Sequence, residues 1–198
     1  MARTIAKDHG EKRAQILKSA AKVFADEGFD RASMSQLAKT CGISKANIYH
    51  YYDSKHALLF DLLDNYLSAL RDRLCAVPID DSSPETALRQ IILETLLAYQ
   101  GADDEHRVQS SGLSALPEDQ QRTLRAYQRD MVQHMSAIVT RCAPDKFTND
   151  PGKLRATTMS VFGMLNWFYM WHPGADETAR RDYATQVSNL TLGGLNAL

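Results

Sequence analysis

Hydrophobic positions along this chain recur every three to four residues almost throughout, the spacing that gathers apolar side chains on one face of an α-helix. In residues 10–28, Leu17, Ala20, Ala21, Phe24, Ala25 and Gly28 form one such stripe, and Gly28 supplies a C-terminal stop. Ser33-Met34-Ser35-Gln36 has the form of a capping box, a serine N-cap with glutamine three residues on. It opens a short helix that holds Leu37 and Ala38 and ends at Gly42. Ser44 caps the next short helix, which carries Ile48. Asp53 or Ser54 caps a longer one with Leu58, Leu59, Leu62, Leu63 and Tyr66. The stretch Val77–Pro84, with two prolines and an Asp/Ser cluster, reads as a linker. Beyond it, helices are predicted near 84–100, 104–115, 118–142, 152–171 and 176–195, with breaks at Gly101, Pro117, Pro144, Pro151 and Pro173-Gly174. No strand-like alternation with turn signals stands out, and the fold class that follows is all-α.

A chain of 198 residues is long enough to bury a real core. Its net charge of -1 says little, but the distribution changes the picture. Residues 1–56 carry ten basic side chains, Arg3, Lys7, Lys12, Arg13, Lys18, Lys22, Arg31, Lys39, Lys45 and Lys55, against six acids. The remainder carries 13 basic and 18 acidic residues. A basic end joined to an acidic body fits a local phosphate-binding face. Cys41, Cys75 and Cys142 are widely spaced, with no Cys/His ligand cluster. They read as reduced, partly buried thiols of a cytoplasmic protein rather than a disulfide framework or metal site. The N-terminus lacks the apolar core of a secretory signal, and the apolar stretch Ala156–Trp171 is too short and too interrupted for a membrane span.

The chemistry concentrates in residues 33–52. Ala38 lets two short helices approach and Gly42, four residues on, allows a sharp turn, so Leu37, Ile43 and Ile48 can share a small core with Phe24 and Tyr52. This is a helix-turn-helix layout, whose second helix enters the major groove of DNA. Ser44, Lys45, Asn47, Tyr49, His50 and Tyr51 form a run of donors and stacking surfaces along that helix. Lys45, Lys55 and the N–H groups of the helix beginning near Ser54 suit phosphates. The same corner, read plainly, is also a common packing device in helical proteins, with its tyrosines in the core and its lysines solvated.

The run from Ile16 to Leu59 closely resembles the DNA-binding region of TetR-family transcriptional regulators. The resemblance rests on Ile16-Leu17, Ala20-Ala21, Phe24, Gly28-Phe29, Leu37-Ala38, Gly42-Ile43-Ser44, Ile48-Tyr49-His50-Tyr51-Tyr52 and Ser54-Lys55. It implies a three-helix DNA-binding domain over residues 1–54, an all-helical ligand-binding and dimerisation domain over 55–198, and a homodimer formed by the last two long helices. It implies Tyr49, His50 and Lys55 as phosphate contacts, Lys45, Asn47 and Tyr51 as base-edge contacts, and Ser33 and Ser44 close to the DNA backbone. Tyr52 stands where phenylalanine is often found, and its hydroxyl is expected to reach toward the domain interface.

In the body, Trp167 and Trp171 lie four apart on one helix face, as packing or as the wall of a ligand pocket beside the dimer seam. Leu190, Leu192, Gly193, Gly194 and Leu195 permit close helix contact across a two-fold axis. The body also resembles a TetR branch responding to coenzyme A thioesters, through Arg107, Leu116-Pro117, Arg125 to Arg129, Asn166 to Gly174 and the closing Leu192 to Leu195. That resemblance implies an acyl tunnel of Tyr66, Tyr99, Met131, Met135, Phe162 and Trp167, with Trp171 beside it in the ligand-binding set and Arg107, Arg125 and Arg129 for the phosphates.

No Gly-rich phosphate loop, GxSxG elbow, HExxH motif or paired carboxylates mark an enzyme. The expected function is a repressor released from a palindromic double-stranded DNA operator by a small-molecule effector, with no membrane partner and no cofactor beyond that effector. The helix from about Ser54 to Cys75 is expected to act as the lever between the two domains. The competing reading is a helical dimeric protein-interaction module without sequence-specific DNA binding.

Overall fold

The computed structural model describes residues 2–79 and 83–197, with side chains described from His9 onward. The middle of the expected linker, residues 80–82, lies outside the described residues, as do the side chains of Arg3 and Lys7. Every regular element among the described residues is helical: α1 (Ala2–Glu27), α2 (Met34–Thr40), α3 (Lys45–Tyr51), α4 (Lys55–Cys75), α5 (Pro84–Ala98), α6 (Asp103–Gly112), a 3-10 turn (Leu113–Ala115), α7 (Glu118–Cys142), α8 (Pro144–Phe147), α9 (Pro151–Trp171) and α10 (Glu177–Ala197). The all-α expectation holds. Helix α1 starts eight residues before the predicted window, and the short α8 sits where the sequence suggested only a break between prolines.

The chain forms two compact units. One comprises residues 1–67 and 104–124, the other 68–103 and 125–198. In the first, the stripe of α1 buries Ile16, Leu17, Ala20, Ala21 and Phe24. They form one core with Leu37 and Ala38 of α2, Ile48 of α3, and Leu58, Leu59, Leu62 and Leu63 of α4. Gly28 and Gly42 adopt φ of +84° and +65°, the left-handed region that a Cβ disfavours. These two positions end α1 and turn α2 into α3.

Helix α6 belongs to this same unit. Lys18 of α1 pairs with Glu105 (2.9 Å), and Arg107 donates to Ala25 O (2.9 Å) and reaches Asp26 (3.5 Å). Tyr66 of α4 hydrogen-bonds to the buried His106 (3.1 Å). Gly112 lies where a Cβ would stand 3.4 Å from Leu59.

The core of the second unit is built by α5 (Leu88, Ile91, Ile92, Leu96), α9 (Val161, Leu165, Phe168) and α10 (Ala184, Val187, Leu195), with Met131, Met135, Ile138 and Val139 from α7. One charge lies inside it. Arg180 of α10, 1% exposed, donates to Ala175 O and Leu96 O, both at 3.2 Å. It meets Asp103 at 3.4 Å and lies over the ring of Phe168 (5.7 Å). A buried guanidinium is tolerated only when its donors are satisfied, and these partners close three segments of the chain onto α10.

Burial raises the thiol pKa of Cys41, Cys75 and Cys142, the last to about 11. All three are free and stay protonated at neutral pH. No described helix is long and apolar enough to cross a membrane.

Arg180→Met strands two carbonyls and one carboxylate. It is expected to destabilise the protein by about 3 kcal/mol, seen as a lower urea midpoint with an unchanged slope. An unchanged midpoint would show that the carbonyls find other donors.

Candidate nucleic-acid interface

The corner around α2 and α3 is set by hydroxyl caps. Ser33, in extended conformation, accepts from Gln36 N (3.2 Å), and Ser44 accepts from Asn47 N (3.1 Å). Each satisfies a backbone donor left open in a first helical turn. Ser54 rather than Asp53 does the same for α4, accepting from Ala57 N (3.1 Å). The expected capping box is half realised. The side-chain amide of Gln36 donates to Glu27 at the end of α1, so it joins two helices instead of closing its own.

With Ile48 fully buried and Gly42 turning the chain, α3 presents Lys45, Asn47, Tyr49 and His50 to solvent, with Tyr51 half-buried beside them. Tyr49 is 43% exposed, more than packing alone would leave. The residues proposed from α3 are therefore exposed, except for the half-buried Tyr51. Ser33 and Ser44 are exposed at the starts of α2 and α3, where their hydroxyls serve as caps.

Lys55 is placed differently from an outward phosphate contact. Its ammonium donates to Phe29 O (2.6 Å), Ala32 O (2.9 Å) and Asp30 O (3.1 Å). It also lies over the Phe29 ring (4.4 Å). Three carbonyls of the α1–α2 turn thus converge on a cation at the start of α4. The edge of His56 packs against Phe29 as well (5.0 Å).

Tyr52 is buried, and its hydroxyl donates to Asp61 of α4 (2.5 Å). Asp61 lies beyond residue 54, so this hydroxyl joins the segment expected to bind DNA to the helix that follows it, and both residues fall inside the first unit. Asp61 also takes a two-pronged ion pair from Arg13 of α1. Burial first, and then the bond to Asp61, push the Tyr52 phenol well above its usual range, so it remains a donor. The exit of α3 is thereby tied to α1 and α4. Neither Arg13 nor Asp61 stood out in the sequence, since polar residues 48 positions apart leave no local signal.

His9 was also missed. Its ring stacks on Tyr51, with centroids 4.7 Å apart and planes 26° apart, while His50 meets Tyr51 edge-on (5.7 Å, 85°).

The residues suggested for an effector are divided between the two units. Tyr66 and Arg107 belong to the first unit, where both have partners. Tyr99, Met131, Met135 and Phe162 are buried in the second, Tyr99 donating to Asn166 (2.7 Å). Arg125 and Arg129 are exposed on α7. Trp167 and Trp171 are 61% and 54% exposed. One surface hollow lies beside Arg89 and Arg181 and another beside Phe29 and Ser111, and none of the ten lines either of these.

Residues 16–62 match the profile of the bacterial regulatory proteins of the tetR family. Residues 81–195 match the tetracyclin repressor-like C-terminal domain. The HTH-type transcriptional regulator YuxN of Bacillus subtilis is 35% identical over 92 residues, which cover 45% of this chain and 32% of that protein. A TetR-family transcriptional regulator from Bordetella parapertussis has a similar structure at 33% identity, with a TM-score of 0.85, covering 94% of this chain and 96% of that one. AibR, solved with isovaleryl coenzyme A and operator DNA, shares the fold at 19% identity, with a TM-score of 0.73 over 90% of this chain and 97% of that one.

Lys55→Met deprives three carbonyls of their donor and is expected to lower stability by about 2 kcal/mol. Lys45→Met, on the open face of α3, is expected to leave the urea midpoint unchanged. Equal midpoints for the two variants would show that the Lys55 ammonium is solvated.

Proposed function

The chain belongs to the tetR family of bacterial regulatory proteins, and we propose that it is a cytoplasmic homodimeric repressor that a small-molecule effector releases from a palindromic operator. Its family makes it a DNA-binding transcriptional regulator with a helix-turn-helix, not an enzyme. The observation that carries the reading is the outward row of α3, held on a capped, glycine-turned corner.

We assign base-edge contacts to Lys45, Asn47 and Tyr51, and phosphate contacts to Tyr49 and His50. Ser33 and Ser44 set the helix starts beside the DNA backbone. Lys55 acts one step back, by holding the turn that precedes α2. Residues 1–54 are the DNA-binding domain in this reading, and 55–198 carry effector binding and dimerisation.

The dimer face we propose lies on α9 and α10. Met159, Trp167, Met170, Trp171 and Leu190 are exposed there, an apolar set that solvent alone does not favour. A Cβ added at Gly163, Gly193 or Gly194 would meet nothing within 4 Å, which leaves room for a partner helix to approach. The two tryptophans therefore suit a seam between protomers better than a pocket wall.

For the effector, a coenzyme A thioester of a fatty or aromatic acid is the candidate. AibR binds isovaleryl coenzyme A on the same fold, and Arg129 is an exposed cation on α7. Arg107 is occupied at the end of α1 and is removed from that set. A ligand that favours the conformation with weaker DNA affinity must lose affinity to DNA by the same coupling energy.

Selection from a random duplex pool is expected to yield a palindromic site with steep salt dependence. Lys45→Ala should relax the preference at one position of each half-site and weaken binding to the preferred site by about 1–3 kcal/mol. A thioester, but not the free acid, should raise the melting temperature and release this DNA. Failure to enrich any sequence at several salt concentrations would favour an interaction module instead. Separately, Trp167→Glu combined with Trp171→Glu is expected to halve the mass measured by sedimentation equilibrium. A mass equal to the wild type would place the interface elsewhere.

A further inference from the structure

Helix α1 begins at Ala2, well before residue 16, where the match to the family profile starts. Within that early part, His9 meets the side chain of a residue on the outward helix α3. Its imidazole lies nearly parallel to the Tyr51 ring, with centroids 4.7 Å apart and planes at 26°. Tyr51 also meets the His50 ring in an edge-to-face arrangement. His50 is its chain neighbour and moves with α3, so it cannot register the ring against the rest of the molecule. His9, carried by a separate helix, can.

The burial pattern shows what this stack is for. Tyr51 is only half-buried, and His9 is exposed. Neither ring belongs to the core, and removing the imidazole would open no internal cavity. Its contact acts on the direction of one side chain: the phenol of Tyr51, otherwise free to choose among staggered rotamers, is held by the stacked imidazole. A side chain that reads a base edge gains discrimination when its geometry is set before it binds, because a misplaced donor serves several bases equally.

We infer that His9 is a positioning residue for operator recognition, fixing the Tyr51 phenol at one base pair of each half-site. This rests on the proposal that α3 reads DNA. Because His9 precedes the matched region, the contact adds selectivity outside the helix-turn-helix itself.

The test is selection from a random duplex pool by the wild type, Tyr51→Ala, His9→Ala and His9→Phe, with helical content checked by circular dichroism. Tyr51→Ala is expected to relax the preference at one position of each half-site. His9→Ala is expected to relax that same position about three- to tenfold, the effect of losing one aromatic pair, and to leave the other positions as they were. His9→Phe, which can still stack, should restore the preference. A merely structural His9 would weaken binding to every sequence alike, and that result overturns the inference. So does a wild-type preference in His9→Ala beside a relaxed one in Tyr51→Ala, which leaves the DNA reading of α3 standing. A wild-type preference in Tyr51→Ala overturns the inference together with the base contact of Tyr51.

Discussion

The geometry of the DNA-reading corner depends on the cation at the start of α4. Leaving α1 at Gly28, the chain must reverse before Ser33 caps α2, and a five-residue reversal leaves carbonyls pointing away from any helix. Three of them, from Phe29, Asp30 and Ala32, accept from the Lys55 ammonium. A charged donor is roughly twice as strong as a neutral one, and an ammonium has three protons to give. One side chain therefore ties the α1–α2 turn to the start of α4. Helix α3, only seven residues long, has little stability of its own and takes its place from these neighbours.

The ion pair of Arg13 with Asp61, joined by the Tyr52 hydroxyl, works on the opposite end of the corner. Together the two clusters hold the entrance and exit of the α2–α3 segment while Leu37, Ile48 and Phe24 fill its middle. Polar side chains position the corner, and apolar burial stabilises it. The same division appears in the second unit, where Arg180 ties the end of α5, Asp103 and the turn before α10 around an aliphatic core.

Helix α6 stands with the DNA-binding elements through Lys18–Glu105, Arg107–Asp26 and Tyr66–His106. Arg107 is instructive. As a sequence feature it is one more arginine in a charged helix, equally suited to solvent, to an acid or to a ligand phosphate. Its assignment to the end of α1 came from an approach between residues 81 positions apart. Trp167 and Trp171 make the same point in reverse: their spacing puts them on one face whatever that face meets, and their exposure is a property of the assembled fold.

What the sequence by itself determined is everything set within about four residues along the chain. The 3.6-residue periodicity, the serines one residue ahead of α2 and α3, the glycines with positive φ and the outward row on α3 are local, because helical hydrogen bonds and caps span three or four residues. The family likeness rests on these same features. Tertiary structure alone decided the partners of Gln36, Lys55, Asp61 and His9, since each of those contacts joins residues brought together by helix packing and leaves no periodic trace. Helix packing placed each proposed ligand residue in its unit for the same reason, because burial is a property of the assembled faces rather than of any one stretch of chain.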